Sequence, residues 1–403
     1  MRRKNRILKY IILTLSCVVL FLLIGLNYKE LKGYLVNQEP IATETVSKDP
    51  SVIPKPTIES EVIDEIIEPE ITQTPEVTKQ PDETKQPEEP QVNQKVTLSF
   101  VGDILLSDGI LANYDKKGMD GILSKEIQTA LNDATLTIAN EEFPFSERGE
   151  QAKDKQYTFR IAPERVNIFN QMGIDIVTIA NNHTLDFGKE ALLDTLDTLD
   201  AANITYIGAG NNLNRAKEIQ YKTVDGLKIA FLGASRVIPV PEWNATDKKP
   251  GMLTTYDPTI LLEQIKKAKE QAEFTVVYLH WGIERKTKPE DYQRYLAKQY
   301  IDAGADLVVG SHPHCLQGIE YYNGKPIIYS LGNFLFGTNI DKTAVLQATI
   351  EASGESTISI LPCKGTNFYT QTISDSNQKA QFYKYLEEIS YGITIDENGT
   401  VHP

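Results

Sequence analysis

The sequence predicts an α/β layered fold, preceded by one N-terminal transmembrane helix and a disordered linker. Three observations predict it. An apolar run follows a basic N-terminus, a Pro/Glu/Thr/Lys-rich stretch comes next, and from Val96 onward strand-like apolar runs alternate with helical patterns. The boundaries read from these shifts are 1–37 for the basic flank and helix, 38–95 for the linker and 96–403 for the domain.

Arg2, Arg3, Lys4, Arg6 and Lys9 precede an apolar run from Tyr10 to Leu26 that only small polar residues interrupt. Its roughly 17 residues sit at the short end of what spans a bilayer, and the basic flank favours the cytoplasmic side. The chain is therefore expected at the cell membrane as a single-pass protein with its C-terminal domain outside the cytoplasm. A cleaved signal peptide is the competing reading, but Asn27, Tyr28, Lys29 and Glu30 offer no small-x-small site. Cys17 admits a third reading, a lipid anchor, although apolar residues continue past it. All three readings put the domain on the same side.

In the linker, Thr78-Lys-Gln-Pro-Asp-Glu returns almost at once as Thr84-Lys-Gln-Pro-Glu-Glu. Such a stretch has too little apolar area to offset the entropy of ordering, and its prolines favour extended conformations, so it reads as a spacer. The net charge of the 403 residues is −14. Seven basic side chains against one Glu occur up to Gln38, so the acidic excess lies in the linker and the domain. An acidic domain excludes nucleic acid as a partner, because phosphate binding needs a basic surface. Three cysteines exclude a disulfide-dense scaffold. Cys315 and Cys363 read as two small buried hydrophobes, with a bridge between them as the alternative.

Strands are expected at Val96–Ile104, Ala134–Asn140, Ile174–Ala180, Ile204–Ile207, Lys228–Leu232, Phe274–Leu279, Leu307–Val309 and Ile327–Tyr329, from apolar runs bounded by turn signals. Helical patterns lie between them at Ala191–Leu199, at Ile260–Ala272 behind Asp257-Pro258, and at Tyr292–Ala303 before Gly304. Asp225-Gly226 between two apolar runs signals a hairpin. Beyond Thr343, strands at Ala344–Ala352 and Ser356–Leu361 and a helix at Gln378–Ile389 are expected to complete the same domain.

Chemistry-bearing residues gather where the strands end. The first strand runs into Gly102-Asp103, the second into Asn140-Glu141-Glu142, and the third into Asn181-Asn182-His183 with Asp186 behind it. Later strands run into His280-Trp281-Gly282 and into Gly310-Ser311-His312-Pro313-His314. Four of the five histidines occur in these motifs, two of them as His-x-His. Carboxylate, imidazole and amide donors together suit a divalent ion such as Mn, Fe or Zn, and a shared carboxylate can bridge two. No cysteine pair has the spacing of a structural zinc site.

In their order, these motifs resemble the CapA-type poly-γ-glutamate capsule-biosynthesis family, a branch of the calcineurin-like metallophosphoesterases. The resemblance covers about Val96 to Phe336. It is carried by Ala180-Asn-Asn-His-Thr-Leu-Asp-Phe-Gly188, Tyr278-Leu-His-Trp-Gly-Ile-Glu284, Ala303-Gly-Ala-Asp-Leu-Val-Val-Gly-Ser-His-Pro-His314, Tyr329-Ser-Leu-Gly-Asn-Phe334 and Tyr157-Thr-Phe-Arg160. It implies a metallophosphoesterase-like β-sandwich flanked by helices. By the same resemblance, Asn182, His280 and His312 belong to one metal site, and Asp103, Glu142 and His314 to the other, with Glu142 at the bridging position. His183 would be the acid that protonates a leaving group. Where ordinary metallophosphoesterases have Asp-x-His, Asp103 is followed by Ile104 and Leu105, which leaves a one-ion and a two-ion centre both open and makes Asp108 or water a candidate substitute.

Arg160 and Arg236 near strand ends are candidates for an anionic substrate, since Arg binds carboxylate or phosphate two-pronged. Glu284 is a candidate partner for orienting a histidine. Asp186 would either order the His183 loop or cap the next helix, and Trp281 reads as a packing residue. Three functions fit. The first is synthesis or export of an anionic poly-γ-glutamate-type polymer, beside polyglutamate synthetase membrane subunits as the resemblance implies. The second is metal-dependent hydrolysis of a phosphoester, cell-wall or amide bond. The third is a non-catalytic surface scaffold.

Overall fold

A computed structural model of the protein describes residues 95–403. The apolar run Tyr10–Leu26, Cys17 and the expected linker lie outside the described residues. Among the described residues no helix is long and apolar enough to cross a membrane.

In chain order, the elements that position the site begin with β1 (Lys95–Ile104), α1 (Asp108–Lys117), α2 (Lys125–Asn132), β2 (Leu136–Glu141), α3 (Asn167–Met172), β3 (Ile176–Thr178), α4 (Gly188–Ala201) and β4 (Thr205–Ile207). There follow β5 (Gln220–Val224), β6 (Leu227–Ser235), α5 (Thr259–Lys269), β7 (Phe274–His280), α6 (Asp291–Ala303), β8 (Leu307–Ser311), β9 (Leu316–Tyr322) and β10 (Lys325–Leu331). The chain closes with β11 (Asn333–Leu335), β12 (Ile340–Glu351), β13 (Ser356–Thr366), β14 (Tyr369–Thr372) and α7 (Ser376–Ile389).

These strands form an eight-stranded sheet in the order β14-β13-β12-β1-β2-β3-β4, with β11 also on β1, and a six-stranded sheet in the order β9-β10-β8-β7-β6-β5. The pairs β1–β2, β2–β3 and β3–β4 are parallel, as are β6–β7, β7–β8 and β8–β10. Parallel strands need both faces covered, and side-chain alternation supplies two apolar faces here. Ile229 and Phe231 of β6 join Phe100, Ile138, Val276 and Val309 in a core between the sheets. Ala230 and Leu232, the alternate residues, face Leu261 and Ile265 of α5 and Leu296 and Tyr300 of α6. On the other side, Ala139 and Val177 pack with Ile110, Ile127, Phe169 and Leu192 of the first four helices. The architecture is a four-layer helix–sheet–sheet–helix sandwich. Both parallel centres end their strands at one edge, and Tyr278 Oη of the second sheet donates to Val101 O of the first at 2.8 Å near that edge.

Most of the expected elements occur, with shifted bounds. The Asp225-Gly226 hairpin has the two left-handed residues of a tight turn, at φ 49° and 80°. The third strand is shorter than expected, because Ile174 N–H closes the preceding helix on Phe169 O. Cys315 and Cys363 are not bridged.

One ion cluster ties α6 to the second sheet. Glu320 accepts from Arg294 at 2.9 and 3.0 Å and from Tyr329 Oη at 2.8 Å, with Lys298 Nζ 3.0 Å away. Burial pushes the Glu320 carboxyl up, but these four bonds prevail and hold it at about 2. The folded value lies below the unfolded one, so the contribution to stability is present above about pH 4.5 and fades as pH falls toward 2. Glu320→Ala leaves two cations without their partner. It is expected to cost ~2 kcal/mol at neutral pH, between the values for exposed and buried pairs. Urea unfolding of the variant at pH 7 and pH 3 checks this, and an equal loss at both would refute it.

Candidate metal centre

At the common strand edge, Gly102 makes the first close approach: a Cβ there would lie 1.8 Å from Gly332 O. The lack of a side chain lets Asp103 N–H donate to Gly332 O at 2.8 Å, which aims the Asp103 carboxylate into the cleft. Asn140 Nδ2 donates to Asp103 Oδ1 at 2.8 Å, and His312 N–H donates to Oδ2 at 3.3 Å. Asn181 Nδ2 in turn donates to Asn140 Oδ1 at 3.1 Å and to Glu141 O at 2.6 Å, so a chain of amides fixes the β1 and β2 ends.

The second sheet supplies the imidazoles. His280, the last residue of β7, is fully buried, with Nε2 2.8 Å from Asn182 Oδ1 and Nδ1 3.2 Å from Ser311 Oγ. His312 and His314 both take left-handed backbone, at φ 100° and 57°. Two such residues around Pro313 are costly outside glycine, and they turn both rings to the same side. The ring centroids of His280 and His312 are 4.7 Å apart, and those of His312 and His314 5.9 Å apart. His314 Nδ1 lies 2.7 Å from Asn333 Oδ1 and 3.5 Å from Asp103 Oδ2.

Two donor sets result, each with its ligand atoms within 4.8 Å of one another: Glu142, His280 and His312, and Asp103, Glu142 and His314. Glu142 is common to both. It is fully buried, neither carboxylate oxygen has a hydrogen-bond partner, and His312 Nδ1 has none either. Burial, then the Asp103 carboxylate, pushes Glu142 well above the usual carboxylate range. Burial likewise holds His280 well below the usual imidazole range, and His312 at about 4. His314 goes the other way: burial lowers it, but Glu142 and Asp103 together lift it to about 10. A buried carboxylate without a donor costs several kcal/mol unless a proton or a cation compensates it. This orphaned carboxylate among imidazole and carboxylate donors fits a divalent ion. Asn182 belongs with the first set through His280.

His183 belongs to neither set. Its Nδ1 is 2.7 Å from Asp186 Oδ2, and its Nε2 faces Glu142 Oε1 at 4.0 Å. Asp186 also accepts from Phe159 N–H at 2.7 Å and from Lys155 Nζ, so it orders the loop and caps no helix. Lys155 Nζ further donates to Asn182 O and lies 3.0 Å from His183 Nδ1. Nothing in the polar stretch around Lys155 marks it in the sequence.

Three expected candidates stand elsewhere. Arg160 is exposed and turned away, with Nη1 on Arg148 O at 3.0 Å and its guanidinium over Phe187. Glu284 is exposed and bonds to no histidine among the described residues, and only its charge reaches the site, where it raises Glu142. Asp108 is exposed on the first turn of α1 and outside both donor sets. Trp281 is buried and donates Nε1–H to Tyr329 O at 2.8 Å, a packing role. Arg236 lies at the cleft rim, its N–H donating to His280 O at 2.8 Å.

Residues 97–338 match the model of a family described as bacterial capsule synthesis protein PGA_cap. The chain is 32% identical over 304 residues to the capsule biosynthesis protein CapA of Bacillus anthracis, covering 73% of each chain. It is 35% identical over 272 residues to the PGA biosynthesis protein CapA of Bacillus subtilis strain 168, covering 66% of this chain and 71% of that one. Among solved structures, the NAD nucleotidase NadN of Haemophilus influenzae aligns over 76% of this chain and 64% of that one, with 13% identity and a TM-score of 0.40.

Proposed function

Because the chain belongs to the bacterial capsule synthesis protein family, we propose that it serves the synthesis or export of a poly-γ-glutamate-type polymer outside the cytoplasm, with the cleft between Asp103 and His314 as a divalent metal centre of metallophosphoesterase type. In this reading Tyr10–Leu26 is the membrane anchor, the Pro-rich segment 38–95 its spacer, and the membrane subunits of a polymer synthetase its neighbours. The observation that carries the reading is Glu142, a buried carboxylate without a hydrogen-bond partner that two donor sets share.

Glu142, His280 and His312, with Asn182 beside them, would hold one ion, and Asp103, Glu142 and His314 a second. Mixed nitrogen and oxygen donors suit Mn, Fe or Zn. A divalent ion there supplies Lewis-acid polarisation of an anionic oxygen. The side chains around it do the positioning. Asp186 takes the Nδ1 side of His183, which leaves Nε2 to carry a proton toward a group in the cleft. Lys155 balances the Asp186 charge and ties it to Asn182 O. Ile104 and Leu105, in place of the usual histidine, are buried in the apolar layer, and the Asn140–Asn181 amides hold Asp103 instead. The His183–Asp186 pair is the observation that favours a second reading, in which the centre hydrolyses a phosphoester or amide bond.

The first reading is tested in the organism that carries the gene. Deletion is expected to remove surface polyglutamate, and wild type, but not Glu142→Ala, to restore it. A normal capsule after deletion would overturn the assignment.

A further inference from the structure

The rim of the cleft carries cations that the metal centre does not use. The Arg236 guanidinium lies 4.7 Å from the Tyr256 ring centroid and 5.0 Å from that of Tyr292, and its Nη1 donates to Thr255 O at 2.6 Å. A guanidinium stacked on rings and fixed at one nitrogen keeps its other N–H groups in one plane, ready for a two-pronged oxyanion at small entropic cost. Tyr292 continues the feature, since its hydroxyl accepts from Gly282 N–H at 2.7 Å where the next loop begins.

In that loop Arg285 has φ 62°, a strained value for any residue but glycine. Its N–H donates to Pro313 O at 2.7 Å, between the two site histidines, and Gln317 Nε2 holds the next carbonyl, Lys286 O, at 2.9 Å. The backbone is thus pinned to the His-Pro-His turn while Arg285 and Lys288 stay exposed. Lys286 is taken by Glu290 at 2.9 Å. Among the described residues, ion pairs within 4.0 Å involve neither Arg236, Arg285 nor Lys288. Glu284 and Asp291 bring the loop close to neutral, so recognition there rests on where the cations are held, not on net charge. Tyr256 at 57% exposure and Ile283 at 44% give the same rim an apolar floor.

We propose that Arg236, Arg285 and Lys288 form a carboxylate track along the cleft rim, which takes successive free carboxylates of an extended anionic polymer. Arg285 and Lys288 line one open concavity of about 520 Å³, and Arg236 stands outside it on a separate element, an arrangement of spaced cations that suits a chain with repeated anions. The assignment rests on the reading above that the site serves such a polymer.

A fluorescently labelled γ-linked glutamate decamer tests it against the full-length protein in mild detergent. Wild type is expected to bind the decamer, with competition by unlabelled decamer and none by neutral dextran. Arg236→Gln, and the pair Arg285→Gln with Lys288→Gln, are each expected to weaken binding about tenfold or more, the loss of a charge-assisted bond. Arg236→Lys, which keeps charge but not the two-pronged plane, should fall between. Melting temperature and metal content report the fold of each variant. Variants that bind as tightly as wild type would overturn the track, as would inorganic polyphosphate of equal charge displacing the decamer at lower concentration. Binding lost in Glu142→Gln but untouched in Arg236→Gln would also overturn it, while leaving the metal centre standing. Arg236-dependent binding in a protein without metal would do the reverse.

Discussion

Glu142→Gln is expected to leave the full-length protein without bound transition metal, where wild type purified without chelators carries one or two ions per chain. Both donor sets run through this one carboxylate. An amide has half its ligating oxygens and none of its charge, so affinity should drop more than ~100-fold, beyond the effect of removing an outer partner of a ligand. Elemental analysis reads the result directly, and full metal retention in the variant would sink the shared-ligand arrangement. The pH dependence follows from the same groups. Without metal, burial and the Asp103 carboxylate raise Glu142, and the Glu142 and Asp103 carboxylates lift His314 to about 10, so each group holds its proton more tightly than a free one. A cation must displace these protons, so affinity should rise with pH and calorimetry in buffers of different ionisation enthalpy should detect proton release. His314, with a folded value above its unfolded 6.5, stabilises the metal-free protein below pH 6.5 and loses that contribution as pH rises toward 10. Metal should therefore raise the melting temperature more at pH 8.5 than at pH 6. Glu142→Gln should also melt above metal-free wild type at neutral pH, because it removes a buried carboxyl that has no donor.

What could be read beforehand follows the physics of each segment. The central strands were legible because both their faces are buried, which forces continuous apolar runs such as Phe274–His280. The helices Asp108–Lys117 and Lys125–Asn132 were not, since each buries only one or two side chains and glycines punctuate the stretch between them. The strand Leu316–Tyr322 was hidden behind the His-Pro-His motif, with polar Gln317 and Glu320 buried by hydrogen bonds that no local pattern announces. At the cleft, donors at strand ends stood out because packing does not require carboxylates and imidazoles there. Lys155 and Asn333 did not, for their roles arise only when distant loops meet His183 and His314. Arg160 and Glu284 had the right residue type beside the right motifs, but Arg160 turns to Arg148 O, and Glu284 stays exposed and reaches the site only through its charge on Glu142. Proximity in sequence gives no side-chain direction once a turn intervenes.

His183→Ala should separate chemistry from metal binding. The ring lies outside both donor sets, so metal content is expected to match wild type. If the centre hydrolyses esters, turnover of bis(p-nitrophenyl) phosphate by the metal-loaded full-length protein should fall ~10²–10⁴-fold, the usual contribution of a positioned acid. Metal loss in this variant would make His183 a ligand, and unchanged turnover would remove its acid role. Asp186→Asn tests how the ring is poised. Burial lowers the His183 pKa, and Asp186 pulls it back up through the Nδ1 bond. Without that carboxylate, burial prevails and the imidazole gives up its proton at a lower pH. An acid is active only while protonated, so the alkaline limb of the pH–rate profile should move to lower pH in Asp186→Asn, a displacement that loosening of the loop alone would not produce. Lys155→Met should move the same limb the opposite way, because Lys155 is a cation 3.0 Å from Nδ1 that disfavours a second positive charge on the ring. Opposite displacements from two partners of one imidazole would place the titrating group at His183 itself. Displacements of the same sign would assign the limb to another residue of the cleft.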